Sequence, residues 1–154
     1  MKYEEWLQAV PGELTNDPLW RNEVYRLALF AGDIAWADVT KLAGDHRTRS
    51  LADQLYRVVG SVGANIAEGY SRNSGKDEAR MFEYAPGSAR EARHWYYQSR
   101  YLLTDEVTTH RLKLLTQIVR LLLTMISRVR DHRIAEAVVL YDTLDGTLDD
   151  PPMP

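Results

Sequence analysis

One pair of residues in this chain has the spacing of a metal-binding motif. Glu91 and His94 form a Glu-x-x-His, which places a carboxylate and an imidazole on one face of a helix. A di-iron centre in a helical bundle needs a second such pair and a glutamate from each of two further helices. The second pair is missing, because Glu106 and His110 are four residues apart. We therefore expect no metal and no cofactor, and a metal-dependent bundle that uses Glu68, Glu91 and His94 stays a minor alternative.

The sequence carries no motif of nucleophilic catalysis or of phosphate binding. It has no cysteine, which excludes thiol nucleophiles, disulfides and thiolate zinc sites. The segment from Gly69 to Lys76 differs from a phosphate-binding loop, since its two glycines are one residue too far apart and Asp77 follows the lysine. The four histidines are scattered and form no local serine–histidine–acid pattern. We predict that the protein is not an enzyme.

Basic side chains are the remaining candidates for a functional surface. Lysine and arginine bind the phosphates of nucleic acids, and this chain has several of them before and within its later predicted helices. A structural role competes at a helix C-terminus, where the dipole favours a cation by about 0.3–1 kcal/mol without any partner. The nucleic-acid-binding candidates are Arg72, Lys76, Arg80, Arg111, Lys113, Arg120, Arg128 and Arg130.

The charge of the chain is unevenly distributed. The whole chain has a formal net charge of −3, from 19 basic and 22 acidic residues, which by itself argues against nucleic-acid binding. Residues 1–17 carry a net charge of −3 and residues 134–154 a net charge of −5. Residues 18–133 therefore carry a net charge of +5, with 18 basic and 13 acidic residues. A mildly basic central segment lies between two acidic ends.

Apolar residues recur at helical spacing along the chain, and no strand pattern is present. The spacing of Tyr3, Trp6, Leu7 and Val10 predicts a short first helix. Long helices are predicted over about 17–44, 50–69, 75–103 and 105–132. Asp17 and Ser50 are predicted to cap the first two of them at the N-terminus, Gly69 to cap the second at the C-terminus, and Pro86 to kink the third. A shorter apolar stretch over 134–144 predicts a C-terminal helix.

These elements predict an all-α fold, an antiparallel up-down four-helix bundle with short N- and C-terminal helical extensions. We divide the chain into an N-terminal extension (1–17), a bundle domain (18–133) and an acidic C-terminal extension (134–154), whose end we expect to be disordered. No apolar run reaches the roughly 18–20 residues that span a bilayer. We expect a cytoplasmic protein with no membrane partner.

Polar residues at helical spacing predict a network between the second and third long helices. Ser61, Asn65 and Glu68 share one face of the second long helix, and Ser88 and Glu91 share one face of the third. An unpaired buried polar group costs about 1–3 kcal/mol, so each member needs a partner. We predict a buried polar network that sets the register of the two helices. The alternative is a ligand or cation site between them.

Two observations predict contacts with another subunit. The last long helix carries two adjacent apolar stripes, which indicates burial on more than one side, against a fifth helix or a second subunit. The first stripe consists of Leu112, Leu115, Val119, Leu122, Ile126 and Val129, and the second of Leu114, Ile118, Leu121 and Met125. Three consecutive aromatic residues at 95–97 cannot all face one core, because neighbours on a helix point about 100° apart. The interface candidates are Tyr96, Tyr97, Tyr101, Leu114, Ile118, Leu121 and Met125.

One segment is similar to a known family. The stretch 61–69, Ser-Val-Gly-Ala-Asn-Ile-Ala-Glu-Gly, resembles the signature of the 23S rRNA intervening-sequence proteins. That family includes proteins similar to the accessory variability determinant of diversity-generating retroelements. The stretch 85–91, Ala-Pro-Gly-Ser-Ala-Arg-Glu, and the stretch 23–28 also fit, although Pro86 stands where a larger apolar residue is usual. The resemblance covers about residues 19–130.

The resemblance implies an all-helical bundle that commonly assembles as a pentameric ring and is not an enzyme. In the retroelement branch the ring binds a reverse transcriptase and nucleic acid through basic surface. We therefore expect a homo-oligomeric adaptor, with itself, RNA or DNA, and a reverse transcriptase as partners. The alternative is a structural protein–protein interaction module without nucleic-acid binding, whose acidic ends contact a basic partner or cover its own basic surface.

Overall fold

The computed structural model of the chain describes residues 2–72 and 75–148, with side chains described for 2–72 and 77–130. This part of the chain consists of helices and their connections and contains no strand, so the all-α prediction is confirmed. Two 3-10 turns lie at Pro18–Arg21 and Ser99–Tyr101. The α-helices are α1 (Tyr3–Ala9), α2 (Gly12–Thr15), α3 (Glu23–Ala43), α4 (Arg49–Tyr70), α5 (Gly75–Gln98) and α6 (Asp105–Leu148).

The four long helices α3 to α6 enclose the core. Each packs against the next along the chain, and α6 packs back against α3. This closed ring of neighbours, with short connections between consecutive helices, is typical of a four-helix bundle with antiparallel neighbours. Within the described residues, no helix combines the length and the hydropathy that crossing a membrane requires.

Both apolar stripes of α6 pack inside the chain. Leu115, Leu122 and Ile126 of the first stripe are buried, and so are Leu114 and Ile118 of the second. The remaining members of the second stripe, Leu121 and Met125, are partly buried against the same core. Because α6 contacts both α5 and α3, two helices of the same chain cover the two stripes. The double stripe therefore requires no second subunit.

The predicted short first helix packs against the bundle through aromatic side chains. Trp6 of α1 is buried, its ring centroid lies 5.4 Å from that of Phe30 on α3, and its indole N–H donates to the carboxylate of Asp33. Trp20 packs against the same indole at 6.0 Å between centroids. The predicted short first helix is thus present, and α1 closes one side of α3 through aromatic contacts.

Two helix starts differ from the prediction. Asp17 caps only the 3-10 turn, by accepting from the backbone N–H of Leu19 at 2.7 Å. Asn22 then caps α3, because its side-chain oxygen accepts from the backbone N–H of Val24 at 3.0 Å. Helix α4 begins at Arg49, so Ser50 lies inside the helix and does not cap it.

The predicted C-terminal cap at Gly69 is wrong. Helix α4 continues to Tyr70, and Gly69 has an ordinary helical backbone without a positive φ. A Cβ at this position would lie 2.6 Å from the ring of the buried Phe82 on α5. Gly69 therefore lets α4 and α5 approach closely. Pro86 lies buried inside α5, which continues through it to Gln98.

Helix α6 is continuous over 44 residues, whereas α3, α4 and α5 have 21, 22 and 24. At a rise of 1.5 Å per residue it is roughly 66 Å long, about twice the length of the other bundle helices. The separate C-terminal helix predicted over 134–144 is instead the continuation of α6. The predicted disordered end, 149–154, lies outside the described residues.

Candidate nucleic-acid interface

Arg111, one of the predicted nucleic-acid contacts, lies inside the bundle. Its Nε donates to Oδ2 of Asp38 at 2.7 Å and its Nη2 to Oδ1 at 3.2 Å. The two side chains are only 16% and 6% exposed. A guanidinium held in this two-pronged geometry by a buried carboxylate cannot also bind phosphate. The prediction that Arg111 contacts nucleic acid is therefore wrong.

The same carboxylate binds a third helix. Tyr96 of α5 is buried, and its hydroxyl donates to Oδ2 of Asp38 at 2.9 Å. Burial raises the pKa of the Tyr96 phenol, and the negative charge of Asp38 raises it further. Asp38, Tyr96 and Arg111, which we call the Asp38 cluster, therefore join α3, α5 and α6. Tyr96 is part of this core and does not present a surface to another subunit.

His110 extends the Asp38 cluster towards the surface. Its Nδ1 lies 2.9 Å from Nη1 of Arg111. Burial lowers the pKa of His110, and the charge of Arg111 lowers it further. The neutral imidazole can accept a hydrogen bond from the guanidinium, which gives a third nitrogen of Arg111 a partner.

Sequence reasoning missed Asp38, although its position carried a signal. Asp38 lies three residues after Ala35 and four before Leu42, so it shares the face of α3 that these two core residues occupy. A carboxylate on a buried face must be paired or protonated. The sequence could therefore indicate that Asp38 has a cationic partner, without showing which basic residue it is.

Three further candidates have partners at the surface. Arg72 pairs with Glu68 one turn before it, and Arg130 of α6 pairs with Glu83 of α5. A hydrogen bond to Tyr84 raises the pKa of the Arg80 guanidinium. All three arginines are exposed, and exposed ion pairs contribute about 0–1 kcal/mol. The side chain of Lys76 lies outside those that the structure describes.

The last three candidates form an exposed face on α6. Lys113, Arg120 and Arg128 are exposed, and none of them takes part in the ion pairs found among the described side chains. Gln117 and Thr124 lie between them, and the five residues fall within an arc of about 80° around the helix. No aspartate or glutamate occurs from 107 to 130. We call these five residues the α6 basic face.

The predicted polar network is not buried. Asn65 donates to the hydroxyl of Ser88 at 3.4 Å, which is a long contact between half-buried side chains. Ser61 donates to the carbonyl of Arg57 on its own helix. Glu68 and Glu91 are exposed. Glu68 pairs with Arg72, just beyond the end of α4, and Glu91 accepts from Trp95 on its own helix. Among the five described residues of the predicted network, only Asn65 and Ser88 form a hydrogen bond between α4 and α5.

The interface candidates separate into two groups. Tyr96, Leu114 and Ile118 are buried in the chain's own core, and Leu121 and Met125 pack partly against it. Placing the buried members in an interface was wrong, because helices of the same chain already cover them. Tyr97 and Tyr101 are 52% and 80% exposed, so they alone remain free to contact another molecule.

A second exposed aromatic surface, which is absent from the predicted interface residues, lies on α3 and α4. Trp36 of α3 is 63% exposed, and its ring centroid lies 5.7 Å from that of Tyr56 on α4 in an edge-on contact. Leu14 and Leu29 line the adjoining groove, which has a volume of about 570 Å³. Trp36 directly follows the core residue Ala35, and this spacing could have placed it outside the buried stripe.

The described residues contain no group of three or more His, Cys, Asp or Glu side chains placed to hold a metal ion. His94 instead makes an edge-on ring contact with Trp95 at 4.9 Å between centroids. Glu91 accepts from the indole N–H of the same tryptophan at 3.2 Å. Both side chains of the Glu-x-x-His pair are thus engaged at the surface of α5.

Comparison with known proteins agrees with the fold. A protein of unknown function from the S23 ribosomal protein family of Bacteroides thetaiotaomicron VPI-5482, with a crystal structure at 1.70 Å resolution, is similar at a TM-score of 0.63 and 23% identity. The match covers 67% of this chain and 97% of that one. No curated protein shows significant similarity to the chain. Residues 21–124 match the family described as 23S rRNA-intervening sequence protein, and the chain belongs to this family.

Proposed function

We propose that this protein is a non-enzymatic adaptor that binds nucleic acid through the α6 basic face. The observation that carries the proposal is the exposure of Lys113, Arg120 and Arg128. They have no ion-pair partner among the described side chains, and their helix segment contains no acidic residue. Elsewhere Arg72 and Arg130 are paired with glutamates, and Arg111 is held by a buried carboxylate. The α6 basic face thus combines three exposed cations with a helix segment that carries no acidic residue.

The chemistry of this face suits a phosphate backbone. Lysine and arginine neutralise phosphates, while amide and hydroxyl groups such as those of Gln117 and Thr124 contribute further contacts. Lys113 and Arg120 are two helical turns apart, about 10 Å along the axis. The face holds no feature that reads base edges, so the binding it supports depends on charge and is insensitive to sequence.

The test is a titration of RNA and DNA at several salt concentrations. The triple variant Lys113→Gln, Arg120→Gln, Arg128→Gln should weaken binding and reduce the slope of log K against log salt by about 2 for a single strand. The matched control removes the same charge from exposed positions on α3 and α4, through Lys41→Gln, Arg49→Gln and Arg57→Gln. Equal losses in both variants, or no binding by the unchanged protein at low salt, would contradict the proposal.

We also propose that the adaptor is a homo-oligomer, with a pentamer as the number that the family resemblance implies. Exposed apolar surface supports self-association, because Trp36, Tyr56 and Leu14 lie on one side of the molecule. In a ring, each subunit contributes its own α6 basic face, which multiplies the charge available to a long nucleic acid. Sedimentation at micromolar concentration tests this, and a monomer would contradict it.

The Trp36 and Tyr56 surface also favours a second candidate function. A groove lined by tryptophan, tyrosine and leucine is typical of a protein-binding surface, and a reverse transcriptase is the partner that the resemblance suggests. In this case the protein is an interaction module without nucleic-acid binding. Trp36→Ala would then abolish partner binding, whereas the triple charge variant of α6 would leave it unchanged.

A further inference from the structure

The end of α5 and the 3-10 turn that follows it carry a stack of two tyrosines and one arginine. The Cζ of Arg100 lies 4.0 Å from the ring centroid of Tyr97 and 4.2 Å from that of Tyr101. Its Nη1 donates to the carbonyl of Tyr97 at 2.7 Å, and its Nη2 donates to the hydroxyl of Tyr101. Two hydrogen bonds and two ring contacts thus fix the guanidinium. We call these three residues the Tyr–Arg stack.

Packing inside the bundle does not account for the Tyr–Arg stack. Tyr101 is 80% exposed and Tyr97 is 52% exposed, whereas the neighbouring Tyr96 is 2% exposed. The guanidinium covers one face of each exposed ring, so much of their remaining surface faces solvent. The stack therefore presents ordered aromatic surface beside a positive charge at one end of the molecule.

We infer that the Tyr–Arg stack binds unpaired bases of a single-stranded nucleic acid. Bases stack on tyrosine whatever their identity, because every base has a π-face, and an arginine plane between rings adds cation–π attraction. In a duplex the bases are already stacked on each other and do not present their faces. This inference rests on the proposed function, and it adds that the nucleic acid is single-stranded where it meets the stack.

The surroundings of the stack favour a nucleic acid over a protein partner. Tyr101 and Arg47 line one shared cavity of about 350 Å³ between the α3–α4 and α5–α6 connections. Arg47 is paired with Asp45, whose pKa is lowered mainly by the hydrogen bond from Arg47, so its charge is compensated and Arg100 is the cation beside the rings. Large aliphatic side chains, which commonly anchor a protein partner, are exposed elsewhere, at Leu14 and Leu123.

The stack also lies close in the chain to the α6 basic face. Helix α6 begins at Asp105, four residues after Tyr101, and Lys113 follows two turns later, about 12 Å along the axis. A strand that stacks on the tyrosines therefore has a phosphate-binding lysine available within a few nucleotides. The two surfaces supply the two contributions, stacking and charge, that sequence-tolerant single-strand binding combines.

The experiment compares a labelled oligouridine strand with an RNA duplex of similar length, using fluorescence anisotropy on the full chain. The variant Tyr97→Leu, Tyr101→Leu keeps apolar bulk and removes both rings. It should lower single-strand affinity by about 5- to 150-fold for each base that loses its stack, leave duplex affinity unchanged and leave the salt slope unchanged. The variant Tyr97→Phe, Tyr101→Phe keeps the rings and should retain affinity. The matched control, Tyr70→Leu with Tyr84→Leu, removes two exposed tyrosines that lie outside the proposed surfaces.

Each contrary outcome has a distinct meaning. Unchanged single-strand affinity, or equal losses for strand and duplex, would overturn the stacking site while leaving the α6 basic face intact. A change of oligomeric state in Tyr97→Leu, Tyr101→Leu, measured by sedimentation, would show that the stack is a protein interface and would also overturn it. The proposed function itself fails if the charge variant on α6 loses no more affinity than its matched control, or if the unchanged protein does not bind at low salt.

Discussion

Two polar clusters of this bundle contrast with each other both in their sequence pattern and in their burial. The motif polar face, which consists of Ser61, Asn65, Glu68, Ser88 and Glu91, occurs at regular helical spacing, but its side chains are half-buried or exposed. The Asp38 cluster has no repeating pattern, yet it lies in the core and joins three helices. Burial, and not the regularity of spacing, determines how much a polar group contributes.

The physical difference lies in the alternatives available to each group. When a contact on the motif polar face breaks, water replaces it, so the net loss is small. When Asp38 loses a partner, its carboxylate stays in a medium that water does not reach, and the full desolvation penalty remains. The expected change in the free energy of unfolding is therefore largest when a buried charge loses its partner and smallest when a long surface contact is lost.

The largest effect is expected for Arg111→Met. This variant leaves the Asp38 carboxylate buried with only the Tyr96 hydroxyl as a partner, and the free energy of unfolding should fall by about 3–5 kcal/mol. Urea denaturation at neutral pH measures it. The exposed neighbour Lys113→Met is the matched control and should change stability by less than about 0.5 kcal/mol.

A second variant separates charge from packing at this cluster. Replacing both partners, as Asp38→Leu with Arg111→Met, removes the buried charge as well as its counter-ion. This double variant should be more stable than Arg111→Met alone, because no unpaired carboxylate remains. If the double variant is the less stable of the two, an unpaired carboxylate is not the cause of the loss in Arg111→Met, and burial does not distinguish the two clusters in the way proposed.

The next largest loss of stability is expected from overpacking at Gly69, the last residue of the stretch 61–69. Gly69→Ala places a Cβ 2.6 Å from the ring of Phe82, which is buried and cannot move freely. We expect a loss of about 1–3 kcal/mol, measured by thermal or urea unfolding. Gly60→Ala on the same helix meets nothing within 4 Å and should stabilise the protein by about 0.5–1 kcal/mol, as expected for alanine in a helix interior. Equal effects at the two glycines would contradict the close approach of α4 and α5.

Tyr96→Phe tests the Asp38 cluster with a smaller change. Loss of the hydroxyl removes one hydrogen bond to Asp38 while Arg111 keeps the charge paired, so stability should fall by about 1 kcal/mol. The pKa of Tyr96 is raised in the folded state, so its contribution is complete below the unfolded pKa of about 10 and declines as pH rises through that value. From about one pH unit below that pKa to about one unit above it, the free energy of unfolding should therefore decrease less in Tyr96→Phe than in the unchanged protein. A steeper alkaline loss in the variant would contradict this assignment.

The fold could be predicted because its information is local. Apolar stripes with a period of 3.6 residues identify α3 to α6, and Pro11-Gly12 ends the first predicted helix. The boundaries were harder, because Asp17 and Asn22 are both good capping residues and each caps an element. Only the packing of the chain shows that the first of the two elements is a single 3-10 turn.

The candidate site could be predicted only in part. Charge composition indicates that α6 is basic, and the α6 basic face follows from the spacing of Lys113 and Arg120. The burial of Arg111 on the same helix depends on Asp38, which lies 73 residues earlier in the chain. Such pairings depend on how helices rotate against one another, and the spacing within one helix contains no information on that rotation.

The smallest effect is expected on the motif polar face itself. Asn65→Ala removes a contact of 3.4 Å to Ser88 between half-buried side chains, and alanine has a better helix propensity than asparagine. The lost hydrogen bond and the gain in helix propensity nearly cancel, so the free energy of unfolding of the single chain should change by less than about 0.5 kcal/mol. Ser88→Ala should behave in the same way, and urea denaturation of dilute protein measures both. A loss above about 2 kcal/mol that appears only at high protein concentration would show that this face is buried between subunits, because stability then depends on association.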